Sequence, residues 1–200
     1  MRCLTPRALG VLAGALALAG AARAAETAGD ALSVAGKLRF HWCQTASLSF
    51  VAETAAYAGA LHAMDVPREW GQGGISYGER VASAAGATAI RNVFAFVLDS
   101  GLKEDPRYRR AGRGDVLVRA GHAARETLLT RTDAGRTRFS VWRFGSAVGA
   151  AMLSNEWYPD RLNTVPSGLE QGAATIGLDL LGNLASEFWP DVKRATARHH

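Results

Sequence analysis

Cysteine is nearly missing from this chain: there are two, Cys3 and Cys43. Cys3 lies ahead of an apolar run with the marks of an export leader, so one cysteine remains after cleavage and no disulfide can close within the mature chain. The fold has to hold by packing alone. Signatures of metal and nucleophile chemistry are missing too. His41, His62, His122, His199 and His200 show no His-x-x-x-His or His-Glu-x-x-His spacing, and no Gly-x-Ser-x-Gly is present. A Cys43–His41 pair has no third group to orient it, and Cys43 reads as a half-buried small residue. The glycines of "EWGQGG", residues 69–74, come without a phosphate-loop lysine. No metal and no organic cofactor is therefore expected. Beyond the leader, Glu53, Arg91, Asp99, Arg143, Asp179 and Glu187 leave no uncharged apolar run of about 18 residues, which weighs against a simple membrane span.

What is there begins with the leader. Arg2 and Arg7 precede the run "ALGVLAGALALAGAA", and Ala22-Arg23-Ala24 has the small residues of a cleavage site. Residues 1–24 read as a signal peptide and 25–200 as one domain, with room for a real core. Cleavage takes Arg2, Arg7 and Arg23 with it, so the formal charge falls from +5 to +2. That charge is uneven. From Lys103 to Arg143 eleven basic residues face five acids, while the flanks are mildly acidic. A basic belt on an exported protein points to an anionic membrane surface or an envelope polymer as partner, and away from nucleic acid. The expected location is the periplasm or cell envelope.

Apolar spacing predicts helices over residues 45–64, 77–102, 115–129, 140–153 and 164–188. In the first, Leu48, Val51, Ala55, Ala58 and His62 fall near one face; in the second, Val81, Ile90, Val93, Phe94 and Val97 belong to a wide apolar stripe. Asp133-Ala134-Gly135 marks a turn in a short hairpin near 130–139. Small residues recur at helical spacing in Gly78-xxx-Ala82-xxx-Gly86, Gly145-xxx-Gly149, Ala147-xxx-Ala151 and Gly168-xxx-Gly172. Glycine costs about 1 kcal/mol against alanine inside a helix, and close approach of neighbouring backbones is the return. The fold class is all-α: a compact bundle of four or five main helices. Residues 37–106 and 115–190 echo each other weakly, with "PREW" against "NEWYP" and "EDP" against "EFWPD".

Two clusters are candidate sites. "KEDPRYRR" puts Glu104, Asp105, Arg107, Tyr108, Arg109 and Arg110 at a helix exit, with Arg113 close behind; Pro106 keeps Asp105 out of the helix. Such arginines can bind an anion, and Glu104 or Asp105 with Arg107 and Tyr108 could move a proton in an envelope enzyme. The plainer role is a solvated acid–arginine lock. "SNEWYPDRLNT" offers Asn155, Trp157 and Tyr158 for a sugar or head group, or as a stapled turn.

Together "PREWGQGGISYGERVAS", "KEDPRYRR", "TRTDAGRTRFS", "SNEWYPDRLNT" and "EFWPDVKR" resemble, in order, the motifs of a family of exported bacterial helical proteins. The resemblance spans residues 37–194 and implies export and a helical fold. It brings no reaction, substrate or catalytic residue with it, and Lys103 stands where that family often has histidine. Three expectations follow: first a non-enzymatic structural or binding protein of the envelope, then an enzyme at the Glu104/Asp105 corner, then a helical integral membrane protein.

Overall fold

The computed structural model describes residues 31–197; the leader expected over 1–24 lies outside the described residues. Helix α1 (Val34–Thr45) opens where the Ser33 hydroxyl accepts the Gly36 N–H, and α2 (Leu48–Ala63) opens the same way at Ser47, which accepts from Phe50. A single 3-10 turn, Arg68–Trp70, leads to α3 (Gly74–Gly101). Asp115 caps α4 (Val116–Leu128) by accepting from Val118. Strands β1 (Leu129–Arg131) and β2 (Thr137–Phe139) pair antiparallel around a turn in which Gly135 takes φ +78°, a left-handed conformation glycine adopts without cost. Helix α5 (Val141–Ser154), a second 3-10 turn (Asn155–Trp157) and α6 (Val165–Ala197) complete the chain.

The predicted helices and hairpin are present, with three differences. Helix α1 lay outside the predicted set, because its inward residues are Lys37 and His41 while Val34, Leu38 and Trp42 point outward. Helix α6 runs on through Pro190 to Ala197 instead of stopping at Phe188. Cys43 is exposed rather than half-buried.

The helices α2, α3, α5 and α6 stand in a row that alternates in direction. Helix α2 descends against α3: the Tyr77 hydroxyl near the start of α3 donates to the Ala55 carbonyl at 3.1 Å. Helix α5 descends between α3 and α6, with Gly145 and Gly149 taking Leu98 and Phe94 of α3. Its other side meets α6, where Gly168 and Gly172 take Met152 and Val148. A Cβ on Gly172 would stand 3.1 Å from the Val148 Cα, which explains the small residue there. Helix α1 crosses the last turns of α3, and α4 crosses the last turns of α6.

The distribution of side chains is inverted relative to a water-soluble domain. Among the described residues the buried hydrophobic set is Ala58, Ala95, Tyr108, Ala123, Trp142, Ala147, Ala150 and Ala151, with no Leu, Ile, Val, Met or Phe. The largest fully buried side chains are instead Arg80, Lys37, Glu104, Glu187, Asn155 and Asp99. Leu48, Ile75 and Leu117 are each more than 80% exposed. Ordinarily Ile, Val, Leu and Phe lead the buried fraction, and Lys, Glu, Arg and Asp are almost never fully covered.

Candidate functional site

The corner after α3 is where the charged interior concentrates. Glu104 is fully buried; its carboxylate accepts from Arg138 Nε at 2.7 Å and from the Trp142 backbone N–H, at the start of α5, at 2.9 Å. One residue on, Asp105 accepts from Arg107 Nε and Nη2 and from Arg109 Nη2, all within 2.9 Å. Burial pushes the Asp105 carboxyl up, but the hydrogen bonds from Arg107 and Arg109 outweigh it and hold the group below its ordinary value of 3.8. The corner backbone is pinned to the hairpin: Asp105 N–H donates to Arg131 O, and Thr130 Oγ1 donates to Asp105 O.

Beyond Pro106 the chain turns toward α6. The Tyr108 hydroxyl donates to Glu187 Oε2 at 2.7 Å, and burial followed by that bond pushes the phenol well above its ordinary pKa. Glu187 collects three further donors: the Ala111 and Gly112 N–H groups and Arg119 Nε. Arg119 also reaches Asp191 at 2.6 Å, and Arg110 Nη2 donates to the Glu187 carbonyl.

On the other flank, His41 Nε2 meets Asp99 Oδ2 at 2.6 Å in a fully covered pair. Lys37, 1% exposed, divides its ammonium between Asp99 O and Asp133 Oδ2, each at 3.0 Å. These residues were not among the predicted site. A lysine buried in a short helix leaves no mark in sequence spacing, and Glu187 stood in "EFWPD" without a partner that spacing could name.

Of the predicted residues, Arg107, Tyr108, Arg109 and Arg110 come together here, and Arg113 stands exposed at the rim. Asn155, Trp157 and Tyr158 do not join them. They lie about 30 Å away at the other end of α3, a distance set by the helical rise from Ser83 to Glu104. There Trp157 Nε1 donates to Ser83 Oγ at 2.9 Å, the Tyr158 ring lies 5.2 Å from that of Trp70, and buried Asn155 accepts from Gln171. Arg161 and Glu69 pair across the same end. Arg80 fills the turn before α3, donating to the carbonyls of Val66, Pro67, Gly71 and Ser76, so the glycine turn is occupied by the protein itself.

This arrangement suits a lock better than a proton shuttle. A general base works best with a pKa near the operating pH, whereas Asp105 is pushed the other way and Tyr108 holds its proton harder. Glu104 is buried and saturated, not solvated. Comparison with family models, with curated proteins and with solved structures gives no match for this chain.

Proposed function

We propose that the protein is a non-enzymatic structural component embedded in an envelope membrane, its apolar shell against lipid and its basic end among anionic head groups. The observation that carries this reading is the inversion of burial: charged side chains inside, leucine, isoleucine and valine outside. In water such a surface invites aggregation; in lipid it is the low-energy arrangement, since each exposed aliphatic group meets hydrocarbon and the buried charged side chains find partners inside.

Three features support it. Helix α3 has an 18-residue apolar window of which 11% is buried, so its apolar length is not spent on a core. At 28 residues it is about 42 Å long, more than the roughly 30 Å of bilayer hydrocarbon, and α6 is longer still. Contacts between helices use small residues and hydrogen bonds, such as Asn92 to Thr45 and Asn183 to Thr127, as expected where no hydrophobic drive joins helices. The exposed Lys103, Arg113, Arg131 and Arg136 gather at the corner end, where head groups would lie.

Alkaline carbonate extraction of envelope membranes tests the reading. Retention in the pellet, with release by detergent alone, is the expected result. Release by carbonate or by high salt would return the protein to a surface role. A nitroxide at Val93→Cys, on the outward face of α3, should be relaxed more by lipid-soluble oxygen than by a water-soluble nickel chelate.

A further inference from the structure

The two halves of the chain make the same contacts in the same order. Lys37 reaches the Asp99 carbonyl from α1, and Arg119 reaches the Glu187 carbonyl from α4. Asn92 donates to Thr45 Oγ1, and Asn183 donates to Thr127 Oγ1. Each of these threonines donates in turn to the carbonyl four residues earlier in its helix. A serine precedes both α2 and α5, and a one-turn 3-10 helix ending in tryptophan precedes both α3 and α6. At the α2–α3 crossing Gly59 faces Tyr77; at the α5–α6 crossing Met152 faces Gly168, the same pair of places with large and small exchanged.

The halves are joined by α3 of the first against α5 of the second. A closed two-fold arrangement would also place α6 against α2, and these two do not form a packing pair. The relation is open, so the surfaces matching the α3–α5 contact are left over at both ends of the row. On α2, Ala52 and Ala56 hold the places of Gly145 and Gly149, with Ala60 continuing that line one turn on. On α6, Ala174, Gly177 and Leu181 hold the places of Ser83, Gly86 and Ile90, opposite the side buried on α5. A Cβ on Gly86 meets Trp157 at 3.9 Å, whereas one on Gly177 meets nothing. Leu181 is 52% exposed.

We infer that a second copy of this chain sets its α6 against α2 of the first, head to tail, repeating the contact that joins the two halves. Such a heterologous interface continues from copy to copy, as a ring if the rotation closes and as a filament if it does not. The contact is between copies whether lipid or water surrounds them, so it stands apart from the membrane reading.

Cysteine cross-linking of the full chain in mild detergent tests it. In a background of Cys3→Ser and Cys43→Ser, Ala60→Cys with Leu181→Cys should oxidise to a ladder of dimers, trimers and longer species. Each single variant should stay monomeric, and an equal mixture of the two should stop at dimers. Adding Gly177→Phe, which has open space in one chain, should cut the ladder at least 10-fold with the helical circular dichroism unchanged. A double variant that stays monomeric, by lack of reaction or by an internal disulfide, overturns the inference. So do dimers formed by either single variant alone, which mark a symmetric contact instead.

Discussion

Lys37 and Arg119, each the fourth residue of its helix, deliver their charges to main-chain carbonyls of the long helices, Asp99 in the last turn of α3 at 3.0 Å and Glu187, well inside α6, at 2.5 Å. At the end of α3 the macrodipole adds to this, since a cation is favoured on a helix's last carbonyls. The same contacts decide which way each flanking helix lies, because α1 and α4 can satisfy both that carbonyl and an asparagine earlier in the long helix, two turns back in α3 and one in α6, only by running antiparallel to their long partners. The buried charges thus set the architecture, and their removal should be felt as lost stability before lost function.

Glu187 is the most heavily used of them. Replacing it with alanine takes the acceptor from the buried Tyr108 hydroxyl and the half-buried Ala111 N–H, frees the Gly112 N–H, and leaves Arg119 with Asp191 and the Glu187 carbonyl alone. An unsatisfied buried donor costs about 1–3 kcal/mol, so Glu187→Ala should lose about 3 kcal/mol or more. Glu187→Gln keeps an acceptor and should recover part of it. Reversible unfolding in mixed micelles measures both; equal stability for all three proteins would remove Glu187 from the framework.

The pH dependence has two edges at the corner. Asp105 is depressed below 3.8, so its contribution is fully present above that value and is lost as pH falls through the lower folded pKa. Tyr108 is raised above 10.0, so its contribution is complete below that value and drains away as pH climbs past it. Thermal midpoints should hold across the neutral range and fall at both extremes. In Asp105→Asn the acid-side fall should shrink, and in Tyr108→Phe the alkaline one. An acid limb unaltered in Asp105→Asn assigns it to other carboxylates.

Charge presentation at the corner rests on fewer groups than the sequence offers. Arg109 is bonded to Asp105 and Arg110 to the Glu187 carbonyl, which leaves Arg113 as the exposed one of the three. Changing Arg109, Arg110 and Arg113 together to Gln should lower the thermal midpoint. Binding to anionic vesicles should weaken by about 5- to 10-fold, the worth of one basic residue near a charged surface at about 1 kcal/mol. A hundredfold loss of binding with stability intact would mean that all three face the lipid.

What the sequence made legible follows from which forces leave local marks. The helix predicted to open at Asp115 does so, with the Asp115 carboxylate as its cap, and Asp133-Ala134-Gly135 marks a turn; both signals act within four residues and both are realised, whereas the break at Ser47 fell inside the helix predicted over 45–64. Faces were harder. Leu48 and Ala58 share one predicted side of α2, yet Leu48 is 86% exposed and Ala58 is fully buried. The apolar stripe of α3 likewise leaves Val93 and Val97 outside. Reading an apolar stripe as an inward face assumes a core of large aliphatic residues, whereas this interior is filled by alanines and charged side chains. The partners of Lys37, His41 and Glu187 lie tens of residues away, joined only by the fold.

Two glycines of α6 separate packing from permissiveness. Gly172 has the Val148 backbone 3.1 Å from where a Cβ would be, while Gly182 has nothing within 4 Å. Gly172→Leu should therefore force α5 and α6 apart and cost about 1–3 kcal/mol. Gly182→Leu should be neutral or stabilising by up to about 1 kcal/mol, since leucine holds a helix better than glycine. Equal effects at the two positions would show that helix propensity, and not the α5–α6 approach, is being measured.

The sharpest test of the interior lies midway along the long helices. Asp179 on α6 accepts from Arg91 on α3 at 2.5 Å and stands 3.8 Å from Arg143 on α5, so three adjacent helices meet at one carboxylate. Asp179→Leu leaves two guanidinium groups without their acid and should cost about 3 kcal/mol or more, the usual penalty for an uncompensated buried charge. Changing Arg91 and Arg143 to Met in the same protein removes the stranded charges. The triple variant should then return to within about 1 kcal/mol of the original, because a buried ion cluster and a well-packed apolar one are often of similar worth. Unfolding titrations of the three proteins under one detergent condition make the comparison. If Asp179→Leu costs less than about 0.5 kcal/mol, the cluster is screened as surface pairs are, and water reaches the middle of the bundle.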